Sequence, residues 1–190
     1  MDEHEAIRRL QRGELDGLET LVRLHQQQAV RAAYLIVRDA ALAEEVAQDA
    51  FLRAHSRISQ FEAGRPFAPW FYRIVVNLAR RAAARAARQT SFDSPAPGSE
   101  ATLADLLADP GPGPEQAAEQ DEQRRRLWQA LGRLAPEQRA AVVERYYLGL
   151  SEAEMAARGG LAAGTVKWRL HAARARLREW LRPWWSADGH

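Results

Sequence analysis

The residues with the most chemistry to offer lie between Ser151 and Arg178. Ser151 is followed three positions later by Glu154, the spacing of a reciprocal capping box, and Gly159-Gly160 can take the left-handed conformation that ends a helix. A second helical pattern starts at once, with Val166, Leu170, Ala173 and Leu177 on its core face. Lys167, His171, Arg174 and Arg178 form a parallel stripe about 100° away, and Trp168 stands nearly opposite the apolar residues. A capped helix, a tight turn and a second helix of this kind suit the major groove: cations meet phosphates, and long donors near the helix start reach base edges. A basic stripe alone is more often a solvated face, and it is the helix and turn ahead of it that favour DNA. Thr165, Lys167, Trp168, Arg169, His171 and Arg174 are the residues expected at a duplex. Trp168 has two readings: it meets DNA sugar or a thymine methyl, or it packs against Trp180, Trp184 and Trp185.

Two further constellations precede this one. Between Ala40 and His55, Glu44, Glu45, Gln48, Asp49 and Leu52 share the face away from an apolar stripe. Carboxylates, an amide and one leucine fit a basic partner helix, or else form a solvated acidic face. Next, Phe61, Phe67, Trp70, Phe71 and Tyr72 interleave with Arg57, Arg65 and Arg73, and the strip continues through Asn77, Arg80, Arg81, Arg85 and Arg88. Aromatic rings beside cations fit unstacked bases and single-stranded backbone, although Trp70 and Phe71 open an apolar stripe and read as core.

The elements that must hold these residues are all helical. Leu18, Leu21, Val22, Ala29, Ala32, Ala33 and Ile36 mark one long helix, its stripe interrupted by His25. Ala43, Val46, Ala47, Ala50, Phe51 and Ala54 mark a second, with Asp39 placed to cap it. Ser56 to Pro69 reads as a loop, and a third helix with Pro69 in its first turn is expected to bury Trp70, Ile74, Leu78 and Ala82. Residues 90–122 are rich in Pro and Gly and read as a linker interrupted by a short amphipathic piece, Leu103 to Leu107. Helix resumes near Gln123, breaks at Pro136, runs on through Val142, Val143 and Tyr146, and ends at Gly149. The predicted fold is all-α: two small helical domains, 1–89 and 123–190, joined by an acidic linker.

Composition supports a polyanionic partner once charge is located. The 190 residues carry a formal net charge of +2, but eight acids and no Lys or Arg fall between Ser91 and Gln123. The flanks then hold 27 basic against 17 acidic residues, about +10. No cysteine is present, so thiolate zinc sites and cysteine nucleophiles are excluded. No Gly-rich phosphate loop, metal-ligand cluster or Ser-His-Asp arrangement occurs, and the expectation is a protein with no metal, cofactor or catalytic residue. The apolar runs are too short for a membrane span and Met1-Asp2-Glu3-His4-Glu5 lacks signal-peptide features, so no membrane insertion and a cytoplasmic location are expected.

In this order the features resemble the extracytoplasmic-function branch of the sigma-70 superfamily. Asp39 to Phe51 (DAALAEEVAQDAF) is similar to the region 2 helix that docks on the coiled coil of the largest polymerase subunit. Trp70 to Arg81 (WFYRIVVNLARR) is similar to the segment that engages the melted minus-10 element. Leu131 to Arg139 (LGRLAPEQR), then Gly149-Leu150-Ser151, then Gly164-Thr165-Val166-Lys167, are similar to region 4, which reads the minus-35 element. The resemblance implies a non-catalytic specificity subunit whose partners are core RNA polymerase, at its coiled coil and flap, promoter DNA and an anti-sigma factor. It implies core docking by Glu44, Glu45, Gln48, Asp49 and Leu52. Minus-10 contacts would come from Arg57, Phe61, Arg65, Arg73, Asn77, Arg80 and Arg81, with an extruded base held in the loop between Ser56 and Pro69. The chain departs from the family at Ala162, where a helix-capping Ser or Pro is common, and at Trp168 and Ala172, where relatives often carry polar or basic residues. For the linker, both a nucleic-acid mimic near the RNA path and a plain tether remain open. The rival classes are a conventional operator-binding regulator, disfavoured by the Arg-rich aromatic first domain, and a helical enzyme, disfavoured by the absence of a site.

Overall fold

The computed structural model describes residues 1–62, 64–89 and 114–185, with side-chain surroundings for 1–62, 64–88 and 122–182. Every regular element among them is helical, and the chain divides into two compact units, Met1–Ser94 and Pro95–His190.

The first unit contains α1 (Glu3–Gln11), α2 (Asp16–Val37), α3 (Ala40–Arg57) and α4 (Phe67–Gln89), with a single 3-10 turn, Ile58–Gln60, after α3. Asp2 caps α1 and Asp39 caps α3, each carboxylate accepting a backbone N–H at 2.8 Å. Arg38 takes the left-handed conformation that closes α2, and its N–H reaches the Tyr34 carbonyl at 2.8 Å. Leu10, Leu21, Ile36, Phe67, Phe71 and Val75 are the fully buried bulk of the core. Helix α1 crosses α2 at Gly17, where a Cβ would stand 2.8 Å from the Leu10 backbone nitrogen, so no larger residue fits there.

The buried face of α4 differs from the one expected. Of Trp70, Ile74, Leu78 and Ala82 only Leu78 is buried; the others are half-buried, and Phe67, Phe71, Tyr72, Val75, Val76, Ala79 and Ala83 form the core face. Four steps along a helix turn 400°, so a chain of i, i+4 residues drifts round the axis by about 40° per step and leaves the packed face. The helix also starts at Phe67, inside the segment expected to be loop.

The second unit contains α5 (Pro114–Arg133), α6 (Pro136–Val142), which widens into a π turn over Val143–Tyr147, α7 (Glu152–Gly159) and α8 (Ala163–Trp185). One cluster of its core is Ala141, Leu150, Met155, Val166 and Leu170, flanked by Leu148, Ala156 and Leu161, and Trp128, Leu131, Leu134, Val143 and Ala173 are buried as well. Helix α5 begins nine residues before the expected Gln123, at Pro114, a residue suited to the first turn because its missing N–H would be unbonded there anyway. The linker residues 90–113, Leu103 to Leu107 included, lie outside the described residues.

Candidate nucleic-acid interface

The turn between α7 and α8 is built by local chemistry. Ser151 Oγ accepts the Glu154 N–H at 3.2 Å, and Glu154 Oε2 accepts the Ser151 N–H at 2.8 Å, closing the capping box read from the sequence. The Ser151 backbone N–H, and after it the hydroxyl, hold the Glu154 carboxyl below its ordinary range. Gly160, at φ 62°, ends α7 in the left-handed region. Ala162 then precedes α8 with a backbone carbonyl that accepts from Thr165 at 2.9 Å but no side-chain oxygen to cap it.

Along α8 the buried residues are Val166, Leu170 and Ala173, as the periodicity requires, and Leu177 is half-buried. Lys167, Trp168, His171 and Arg178 are exposed, Trp168 at 64%. Trp180, the alternative packing partner for it, instead lies under the guanidinium of Arg133, 5.8 Å from the ring centroid. Trp184 and Trp185 fall among the residues whose side chains are not described. Thr165 is half-buried.

Two arginines expected at the duplex are engaged within the unit. Arg169 turns inward and meets Glu137 of α6 at 3.0 Å, its side chain only 19% exposed; it braces α8 and does not project from it. Arg174 reaches Glu152 at the start of α7, 3.4 Å away, from a half-buried position. Beside them Arg176 donates to Gln138 at 3.0 Å. The bracing partners Glu137, Gln138 and Glu152 were missed by sequence reasoning. Their only signal is that carboxylates and an amide open α6 and α7, one short reach from an Arg-rich helix.

In the first unit Glu44, Glu45, Gln48 and Asp49 are all exposed on α3, and Leu52 is 62% exposed beside them. They occupy the arc opposite Ala43, Val46, Ala47 and Ala50. Among the described residues Glu44, Glu45 and Asp49 have no ion-pair partner, so three carboxylates stand unneutralised around an apolar side chain.

On α4, Arg73 and Arg81 are exposed and Asn77 and Arg80 half-buried, with Asn77 Oδ1 accepting from Arg80 Nη2 at 3.4 Å. Arg57 is exposed at the end of α3, and Arg65 is exposed while paired with Glu62 at 2.7 Å. Phe61 is not an open platform. It is 5% exposed, its ring 5.8 Å from Phe67 and 5.1 Å from Trp70, because the backbone on both sides of the short turn is tied down. Gln11 Nε2 donates to the Ile58 carbonyl at 3.2 Å and to the Phe61 carbonyl at 2.9 Å. Phe67, Phe71 and Tyr72 are core as well, which leaves half-buried Trp70 as the one ring of this group facing solvent in part.

His25 also acquires a role. At 8% exposure it lies within bonding distance of Glu3 Oε1 (2.7 Å) and of the Tyr72 hydroxyl (3.3 Å), and that hydroxyl donates to Gln28 at 2.8 Å. The break it makes in the apolar stripe of α2 is thus a polar clip joining α1, α2 and α4. Among the described residues there is no cluster of metal ligands, and no helix is long and apolar enough to cross a membrane.

Comparison with known proteins agrees with this division. The family model described as Sigma-70 region 2 matches residues 21–89, and that described as Sigma-70, region 4 matches residues 124–177. The ECF RNA polymerase sigma factor SigM of Mycobacterium tuberculosis is 36% identical over 165 residues, 87% of this chain and 77% of its own length. The ECF RNA polymerase sigma factor SigW of Bacillus subtilis is 29% identical over 177 residues, 93% of this chain and 95% of its own. The solved sigma factor RpoE from Bartonella quintana, seen in complex with the anti-sigma factor NepR, shares the fold at a TM-score of 0.61 and 23% identity, covering 86% of this chain and 96% of that one.

Proposed function

The chain belongs to the extracytoplasmic-function sigma factors of the sigma-70 family, and from that premise we propose how its two units divide promoter-specific initiation between them. As a sigma factor it binds core RNA polymerase and directs it to promoters. The first unit docks on the coiled coil of the largest polymerase subunit through Glu44, Glu45, Gln48, Asp49 and Leu52. The observation that carries this reading is the row of carboxylates, without an ion-pair partner among the described residues, flanking exposed Leu52 opposite the core of α3. Carboxylates that are already neutralised within the fold would have little to offer a basic partner; these are not.

Arg57, Arg65, Arg73, Asn77, Arg80 and Arg81 hold the backbone and base edges of the opened minus-10 strand, and an extruded base sits against the loop between Ser56 and α4. Capture of unstacked bases offsets a few kcal/mol of unstacking, so strand opening needs binding energy and no bond chemistry. Phe61 serves this loop as a packed support. In the second unit Lys167, Trp168 and His171 meet the minus-35 duplex, with Thr165 and Arg174 at its edge, and Arg169 positions the helix. The protein works beside polymerase in the cytoplasm as a non-catalytic subunit, with region 4 also touching the flap. An anti-sigma factor that covers the polymerase-facing surfaces restrains it, a reading supported by the complex in which the RpoE fold was solved.

Transcription from a promoter library, with core polymerase and with or without this protein, tests the proposal. Core-dependent initiation from a defined promoter set is expected. Tight sequence-specific duplex binding by the protein alone, without any initiation, would overturn it.

A further inference from the structure

The exposed arc at the start of α8 is unusual in what it offers DNA. Gly164, Lys167, Trp168, His171 and Ala175 all face solvent there. No Asp or Glu occurs between Leu161 and Leu177, so the arc suits a phosphate-lined groove. Guanine is commonly read by an arginine that bonds its O6 and N7 together. Of the two arginines closest to this arc, Arg169 is held inward by Glu137 at 3.0 Å with its side chain 19% exposed, and Arg174 sits at the edge of the arc with a 3.4 Å contact to Glu152. Arg178 lies ten residues beyond Trp168, about 15 Å further along the helix, at phosphate distance from the bases that Trp168 faces.

The side chain that does project is apolar. Trp168 is 64% exposed; of its neighbours one turn away Gly164 and Ala172 are small, Thr165 and His171 are the other two, and Ala175 lies two turns on. A Cβ at Gly164 would meet nothing within 4 Å. Small neighbours let a groove wall approach the indole closely. An indole has one N–H donor and no acceptor, so it discriminates by shape and apolar contact. In the major groove the one apolar feature that differs between base pairs is the C5-methyl of thymine.

We propose that Trp168 is a specificity-determining residue which selects thymine in the minus-35 element by covering its methyl group. The proposal rests on the reading that α8 lies in the minus-35 duplex. On this account the sequence preference there is set by an apolar contact, and Lys167 and His171 supply phosphate attraction that every sequence shares.

The test uses the full chain with core polymerase and a promoter library randomised upstream of the minus-10 element. Initiation on the unmodified promoters is scored first; its absence would overturn the proposed role of the chain, independently of the methyl contact. A T·A pair is expected to be required at one minus-35 position. Replacing that thymine with deoxyuridine removes only the methyl group and is expected to lower holoenzyme occupancy about fourfold, the worth of one buried methyl. Trp168→Ala should bind both promoters equally, whereas Lys167→Ala should weaken both in proportion. Because Trp168 is exposed, Trp168→Ala should keep the melting temperature of the parent, and Trp168→Phe should restore part of the preference. Equal occupancy of thymine and deoxyuridine promoters at every minus-35 position, or a preference that survives in Trp168→Ala, would overturn the proposal.

Discussion

The first unit holds its exposed faces with aromatic bulk, whereas the second holds its recognition helix with a mostly aliphatic core and added polar ties. Behind α3 and α4, Phe51 and Phe71 stand 4.5 Å apart and Phe67 stacks on Phe71 at 5.5 Å. Behind α8 its own Val166 and Leu170 pack with Ala141, Leu150 and Met155, and Arg169–Glu137, Arg176–Gln138 and Arg174–Glu152 add polar ties from the same helix. In the first unit the residues proposed to bind partners and those that hold the scaffold are therefore different residues. In the second, the same arginine-rich helix supplies both the braces and the residues proposed to meet DNA, and Arg169 is the arginine turned wholly to bracing.

The largest test of this contrast is Phe71→Ala, which empties the centre of the aromatic cluster. A loss of about 3–5 kcal/mol is expected in urea unfolding followed in the first unit, with core-polymerase binding lost as that unit opens. A smaller loss, about 1–3 kcal/mol, is expected for His25→Leu, which leaves Glu3 and Tyr72 without their shared partner. If His25→Leu is silent, the polar clip adds nothing to the aromatic packing. The double reversal Glu45→Arg with Asp49→Arg should leave unfolding unchanged yet weaken core binding on the order of tenfold in a competition assay, because both positions are exposed and outside the core. Loss of stability in that variant would break the separation of scaffold and surface.

The smallest effect concerns the second unit. Glu154 has its carboxyl held below the ordinary range by Ser151, so its contribution to α7 is fully present above the unfolded carboxylate value and is lost as pH falls through the lowered one. Ser151→Ala, at a cost of about 1 kcal/mol, should remove that acid-side dependence from the hydrogen exchange of α7. An unchanged pH profile would show that the box does not hold the turn.

Features decided within one or two turns of chain were legible in advance. The capping box, the Gly160 turn, the Asp39 cap and the buried stripe of α3 depend on neighbours three or four residues away, and all are present; the α2 stripe holds at Leu21, Ala29, Ala32, Ala33 and Ile36, while Leu18 and Val22 are half-buried. So was the split into two helical units, because charge and Pro/Gly content change sharply at the linker. The helix start at Pro114 was hidden because the same proline reads equally as loop. Family membership was also legible, since it rests on the order of motifs.

The tertiary structure alone decided which way the long side chains turn. Arg169 and Lys167 are two positions apart on one helix, yet one braces Glu137 and the other meets solvent. Phe61 could have been a platform for bases; Gln11, fifty residues away, ties its backbone and presents the ring to Phe67 and Trp70. His25 looked like a flaw in an apolar stripe until Glu3 and Tyr72 were brought against it. Periodicity reports which arc of a helix is buried, because that follows from 3.6 residues per turn. It cannot report which distant carboxylate a guanidinium finds, because that depends on how separate helices cross.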